Sequence, residues 1–262
     1  MRTFAILNMK GGVGKTTTAI NLAYLLAAEY RRRVLLIDTD PQANATRALL
    51  PDGERSGLAG LLGGYATVYD EVIVSSGIPN LDVIPASEEL WGIDLQEHTG
   101  DGPLRGTANA LRDLRDNAME DDAYDVIVID CPPNFSSACI SAINAANSII
   151  IPVLPDAFSA DGMDSLVYQI DGVRKLHPDV RVAGCLVNQW HKADVVVDAT
   201  AHLRAESPVP VFDTVIRRTD KVLEATWARE PVQTWSPFSA AARDYRAWVR
   251  ELVAKEGLDD GR

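Results

Sequence analysis

Short runs of β-branched and aliphatic residues alternate along the chain with longer segments in which apolar residues recur every three or four positions. The first kind reads as strand, over Thr3–Met9, Arg33–Asp38, Leu81–Ala86, Asp125–Asp130, Ser148–Val153, Arg181–Asn188 and Val211–Ile216. Most of these runs are apolar without interruption, as strands buried on both faces must be. The second kind predicts helices over Thr16–Glu29, Leu104–Asn117, Ser136–Ala146, Asp161–Leu176, Lys192–Arg204, Thr219–Arg229 and Phe238–Lys255. Strand and helix in alternation predict an α/β fold: a single-domain, doubly wound, mostly parallel twisted sheet with helices on both faces. The glycine-rich stretch Pro51–Gly64 predicts an irregular surface excursion after the second strand. Glu256–Arg262 is polar enough to predict a frayed tail, so the domain is expected over residues 1–255.

Composition narrows this picture. With 262 residues, 47% hydrophobic and 24% charged, the chain can bury one substantial core and is too short for two ordinary α/β domains. No run approaches the roughly 18 apolar residues that a membrane-spanning helix needs. Met1-Arg2 leads straight into an apolar strand pattern without the charged head and small-residue cleavage site of a signal peptide, which predicts a cytoplasmic protein. Three cysteines, Cys131, Cys139 and Cys185, with no CxxC pair, argue for buried thiols over a disulfide framework or a zinc site. A net charge of −12 excludes a strongly basic nucleic-acid coat, so any contact with DNA must be regional.

Candidate chemistry begins at Asn8–Thr17, NMKGGVGKTT. This loop follows a strand and opens a helix, the setting in which a glycine-rich match becomes a credible phosphate cradle. Small residues at Gly11, Gly12 and Gly14, with Val13 between them, let backbone N–H groups converge on phosphate oxygens, and the helix N-terminus adds its positive end. Lys15 would reach the β- and γ-phosphates, the Thr16 hydroxyl would hold Mg²⁺, and Thr17 completes the turn. Two features depart from the standard pattern: Met9 replaces the first glycine, and a second cation, Lys10, stands five residues before Lys15. Further on, DTDPQANAT (Asp38–Thr46) leaves the carboxyl end of the second strand, where open α/β sheets bind ligands. Asp38 and Asp40 are two residues apart and point the same way if strand geometry persists, towards a metal and an attacking water. DVIVIDCPP (Asp125–Pro133) ends a strand in Asp130, a candidate Mg²⁺ carboxylate, and Pro132-Pro133 stiffen the exit.

KGGVGKTT, DTDPQANAT and VIDCPP, in this order and spacing, resemble the deviant-Walker P-loop ATPases, and most of all the ParA/Soj family of DNA-partitioning ATPases. The resemblance runs from Met1 to about Glu251, and the DPQ-x-NAT stretch favours the ParA branch over the MinD branch. It implies ATP with Mg²⁺, a weak intrinsic ATPase, and an ATP-bound sandwich homodimer in which Lys10 crosses to the nucleotide of the partner subunit. A cation supplied in trans would neutralise phosphates that otherwise repel each other across the interface. Met9 then belongs to the end of the first strand. Asp40 would orient the attacking water, and Asn188 matches a position that hydrogen-bonds the base. Non-specific double-stranded DNA and a ParB-like centromere-binding protein are the implied partners, and ATP-bound protein is expected on the nucleoid.

The DNA surface is the least defined. Between Val211 and Arg250 the basic residues outnumber the acidic ones by two, and Arg217, Arg218, Lys221, Arg243 and Arg246 are the candidates. VIRRTDK (Val215–Lys221) lacks the proline that many relatives carry beside the adenine, and Trp190 reads as packing. A protein cargo in place of DNA is an alternative that the sequence does not separate. A MinD-like membrane positioner would need a basic amphipathic helix at the chain's end, and here an acidic stretch follows. An iron–sulfur carrier of the nitrogenase-reductase type would use cysteines, whereas Cys131 and Cys139 read as core packing.

Overall fold

A computed structural model describes residues 1–50, 57–63, 71–93, 107–174 and 178–258. Seven strands form one sheet in the order β3-β4-β2-β5-β1-β6-β7. They are β1 (Arg2–Ile6), β2 (Val34–Asp38), β3 (Val74–Ser75), β4 (Leu81–Ile84), β5 (Val126–Asp130), β6 (Ser148–Val153) and β7 (Arg181–Val187). All neighbours pair in parallel except β3, a two-residue antiparallel edge on β4. The helices are α1 (Lys15–Ala28), α2 (Asn44–Leu49), α3 (Gly57–Leu62), α4 (Thr107–Glu120), α5 (Ser137–Ala145), α6 (Ala157–Arg174), α7 (Asp194–Glu206), α8 (Asp220–Ala228), α9 (Val232–Trp235) and α10 (Ala240–Glu256).

Period-two alternation inside the apolar strands builds two cores. From β1, Phe4 and Ile6 face one side and Ala5 the other; β2 and β5 divide in the same way. On the first side α1 and α10 close over the sheet, with Leu22, Leu25, Leu26, Trp248 and Leu252 fully buried. On the other side α4, α5 and α6 supply Leu111, Ile143, Leu166 and Ile170. Trp248 anchors the first core by edge-to-face contacts with Phe212 (5.9 Å between centroids) and Tyr245 (6.2 Å).

Four sequence expectations are corrected here. β1 ends at Ile6, so Met9 lies in the following loop, half-buried against the core. Asn8 causes the exit: its side chain accepts from Lys10 N (2.9 Å) and donates to Pro152 O (2.7 Å), replacing the ladder. Val211–Ile216 forms no continuous strand. It bridges β7 at Cys185↔Val211 and returns to it where Ile216 N donates to Val187 O (2.8 Å), with a second bridge at Trp190↔Arg217, and the unequal spacing of the two bridges breaks the register. Between them the Asp213 and Thr214 amides are taken by the Glu251 carboxylate at 2.8 and 3.0 Å. Within Pro51–Gly64, Gly57–Leu62 is a helix that buries Leu58, Ala59 and Leu62, while residues 51–56 and 64 lie outside the described residues. Glu256, placed at the start of a polar tail, is instead the buried last residue of α10, where it accepts from Ser148 Oγ (3.1 Å) and pairs with Arg181. Residues 259–262 of that tail lie outside the described residues.

Cutting Trp248 back to alanine would empty the centre of the α1–α10 core. Trp248→Ala is expected to lower unfolding free energy by about 3–5 kcal/mol in urea titrations, whereas Trp227→Ala, at an 83% exposed position, should stay within about 0.5 kcal/mol of the parent.

Candidate functional site

The carboxyl ends of β1, β2, β5 and β6 converge on the loop between β1 and α1. The loop enters α1 through Gly14, at φ 89°, a left-handed conformation that a side chain strains. A Cβ at Gly14 would also stand 2.7 Å from Asn188 Nδ2, so sterics and backbone both demand glycine there. No side chain caps the N-terminus of α1, and its first turn carries no acidic residue. The positive end of the helix therefore faces the loop unopposed, as a phosphate cradle requires.

Two later segments hold the loop in shape. Asn188, at the end of β7, donates from Nδ2 to Val13 O at 2.8 Å, and Gln189 Nε2 reaches Gly12 O at 3.2 Å. Gln189 is itself left-handed, at φ 55°. The buried Asn188 Oδ1 is left without a hydrogen bond, an acceptor that fits a donor from a bound ligand. Trp190 packs against the core.

Lys15 is 7% exposed, and its Nζ donates to Lys10 O at 3.0 Å, across the turn. Burial lowers its pKa, opposed by the nearby Asp130, Cys131, Asp40 and Cys139. Lys10 points elsewhere: its Nζ lies 2.5 Å from Asp156 Oδ2, just past the end of β6, with both side chains more than a third exposed. The sequence reading did not single out Asp156, although a carboxylate beyond the carboxyl end of a parallel strand was the available signal.

Asp38 and Asp130 are register partners on adjacent strands, and both are fully buried. Their surroundings differ. Asp38 accepts from Thr46 N and Thr46 Oγ1, each at 2.8 Å, and from Asp40 N at 3.1 Å. Thr46, on α2, also escaped the sequence reading; its hydroxyl accepts from Ala86 N (2.9 Å) and so ties Asp38 to the end of β4. Three donors leave Asp38 little spare capacity for a metal. Both oxygens of Asp130 are buried without a hydrogen bond, and the Thr16 hydroxyl, which acts on its ionisation, does not close one. Burial first, then the Asp38 charge, push the Asp130 carboxyl well above the ordinary range, and burial lifts Asp38 to about 6. An unpartnered buried carboxylate beside a threonine hydroxyl and a lysine fits a hard divalent cation and its phosphates. Strand geometry does not persist to Asp40, since β2 ends at Asp38; Asp40 instead turns back, accepting from Gln42 N at 2.9 Å, half-buried within range of Lys15 and both buried carboxylates.

The chain's kinship follows from this arrangement. A family model described as an AAA domain matches residues 1–182, which take in the loop and both buried aspartates. The chromosome partitioning protein ParA of Caulobacter vibrioides is 34% identical over 260 residues, covering 98% of this chain and 95% of that protein. The chromosome-partitioning ATPase Soj of Thermus thermophilus is 35% identical over 257 residues, covering 97% and 96%. This chain belongs to the ParA/Soj family. Among solved structures, cobyrinic acid a,c-diamide synthase from Mycobacterium smegmatis with a bound ATP analogue and magnesium superposes with a TM-score of 0.83 at 26% identity, covering 100% of this chain and 97% of that one. Membership places a P-loop ATPase fold around the loop and its carboxylates.

The candidate DNA residues are dispersed among ion pairs. Arg217 grips Asp244 with Nη2–Oδ1 at 2.7 Å and Nε–Oδ2 at 2.9 Å. Lys221 pairs with Glu224 at 2.8 Å, and Arg246 with Glu29 at 2.6 Å. Arg218 and Arg243 are exposed, and among the described residues no carboxylate lies within ion-pair distance of either. All three cysteines are buried free thiols, and among the described residues no group of three His, Cys, Asp or Glu side chains is arranged for a metal.

Raised carboxyl pKa values mean that the folded state binds protons more tightly than the unfolded chain. Their contribution to stability is therefore greatest in acid and is lost as pH rises from the ordinary aspartate range, about 4, through about 6 for Asp38 and higher for Asp130. Asp130→Asn, without nucleotide, is expected to unfold at a higher temperature than the parent at pH 7 and at the same temperature near pH 4. A parent and variant that track each other across that range would show that Asp130 is not held protonated by its surroundings.

Proposed function

We propose that this chain is an ATP-dependent partition ATPase whose ATP-bound dimer binds DNA without sequence preference and lets go on hydrolysis. The observation that carries the reading is the pairing of Lys10 with the GKTT loop and the unpartnered Asp130, in a chain that matches two partition proteins along nearly its whole length. A synthase and a partition protein share this fold, and the higher identity of the partition relatives favours partition.

Gly11 to Thr17 would cradle the phosphates of ATP, with Lys15 meeting the β- and γ-phosphates from within the loop. Thr16 and Asp130 are the residues that would face Mg²⁺, while Asp38, which already accepts three hydrogen bonds from Thr46 and Asp40, would hold the loop that presents Asp40. When bound, the metal would neutralise charge that develops on the phosphoryl oxygens. Asp40 would orient the attacking water, and the unpaired Asn188 Oδ1 would take a donor from the nucleotide. Lys10 would exchange Asp156 for a phosphate of the partner subunit's nucleotide. That exchange is cheap, because a surface ion pair this exposed is worth about 1 kcal/mol or less. Arg218 and Arg243 would meet DNA phosphates in pairs across the dimer. A ParB-like protein would stimulate hydrolysis.

Three substitutions separate these roles. Lys15→Ala is expected to abolish nucleotide binding, Lys10→Ala to bind ATP without dimerising, and Asp40→Ala to accumulate an ATP-bound dimer, as read by labelled-nucleotide binding and size-exclusion chromatography with light scattering. A Lys10→Ala protein that dimerised normally with ATP would refute the trans role.

Random-sequence duplex should bind only with ATP, and more weakly as salt rises from low to moderate. Arg218→Ala combined with Arg243→Ala should weaken that binding at least about tenfold. An ATP-dependent dimer indifferent to DNA in every nucleotide state would overturn the DNA half of the proposal and leave the ATPase half standing.

A further inference from the structure

Asp40 sits beyond the end of β2, where no strand ladder fixes its backbone. A short chain of bonds sets its position instead. Asp38 Oδ1 accepts from Asp40 N at 3.1 Å, and the turn that follows closes from Ala43 N to Asp40 O at 2.8 Å. Ala43 stands at φ 52°, a left-handed conformation that a residue with a side chain keeps only where its surroundings impose it. Where Asp40 lies thus depends on the direction in which Asp38 Oδ1 points.

A carboxylate is loose about its terminal torsion unless its oxygens are held. At Asp38 the other oxygen, Oδ2, takes both Thr46 N and Thr46 Oγ1, each at 2.8 Å. The Thr46 hydroxyl is itself fully assigned: its one proton goes to Asp38, and a lone pair accepts Ala86 N at 2.9 Å. Ala86 lies past the carboxyl end of β4, the neighbour of β2 in the sheet, and the preceding carbonyl, Pro85 O, is taken by Leu58 N at 2.9 Å. A relay therefore runs from an anchored point on β4 through Thr46 and Asp38 to Asp40. It needs a side chain that donates and accepts at one small atom. Serine would keep both bonds, and valine, of the same shape as threonine, would lose both.

We propose that Thr46 is a positioning residue for ATP hydrolysis, acting through Asp38 to hold Asp40 where it orients the attacking water. This rests on the role given to Asp40 above. A merely structural threonine would change nucleotide affinity along with rate, whereas a positioning role falls on the rate, because the side-chain bonds of Thr46 go to Asp38 and Ala86.

The test is hydrolysis of ATP with Mg²⁺ by the 262-residue chain, followed as phosphate release, beside the Kd for labelled ATP. Thr46→Val is expected to lower kcat about ten- to a hundredfold while KM and that Kd stay within about twofold of the parent. Like Asp40→Ala, it should accumulate an ATP-bound dimer. Thr46→Ser should recover most of the lost rate, and Thr46→Cys, a weaker donor of similar size, should fall between the two. Should Thr46→Val not fold, Thr46→Cys against Thr46→Ser reads the same loss. A rate for Thr46→Val, or for Thr46→Cys in its place, equal to that of Thr46→Ser would overturn the proposal, as would a loss of ATP affinity that matches the loss of rate. Hydrolysis by Asp40→Ala at the parent's rate would overturn the role of Asp40 and this proposal with it. An inactive Asp40→Ala beside a flat Thr46 series would overturn this proposal alone.

Discussion

Two carboxylates brought side by side in the driest part of a protein set the terms for everything around them. The parallel register of β2 and β5 makes Asp38 and Asp130 neighbours, and neither touches solvent. Burying one unpaired carboxylate is costly, and burying two in contact range is more so. Asp38 is accommodated by three hydrogen bonds from Thr46 and Asp40. Asp130 has none, so its ionised form calls for a cation. Lys15 comes near but spends its Nζ on Lys10 O. The site is thus short of one positive charge whenever Asp130 ionises, and a divalent ion with its phosphates is the chemistry that supplies it.

Much of this was legible in one dimension because the chemistry is local. A phosphate loop is contiguous by necessity, since its N–H groups must converge from adjacent residues, so Gly11–Thr17 could be read directly. Six of the seven strands could be read for a related reason: burial on both faces writes itself as an uninterrupted apolar run. Val211–Ile216 has the same composition, yet its amides are taken by the Glu251 side chain from 37 and 38 residues away, which no local pattern records. Asn8 ends β1 early by a bond to Pro152, 144 residues on. Asp156 and Thr46 escaped for the same reason, because their roles exist only once β6 and α2 are folded against the loop.

The basic residues illustrate the limit from the other side. Composition counts charges, but a surface field depends on which charges are already paired. Arg217, Lys221 and Arg246 each close on a carboxylate of the same chain, two of them across 27 and 217 residues. Such pairs contribute little to stability in water. Their consequence here is topographical: they cancel the positive potential at three points and leave it standing at Arg218 and Arg243, each next in sequence to one partner of the Arg217–Asp244 bridge. Among the candidate residues the unpaired positive charge is therefore confined to Arg218 and Arg243.

One helix joins these separate arguments. α1 receives the phosphate loop at its N-terminus, and along its flank it is gripped by the C-terminal third of the chain. Asn21 Oδ1 accepts from Val232 N at 3.0 Å, Thr18 meets the buried Tyr245 hydroxyl at 3.5 Å, and Glu29 holds Arg246. Asn188 closes the circuit by binding both Val13 O and Thr18 Oγ1. The loop that opens α1 and the C-terminal helices are therefore joined through one helix by direct contacts, within a close-packed body in which no single element is held by its own bonds alone.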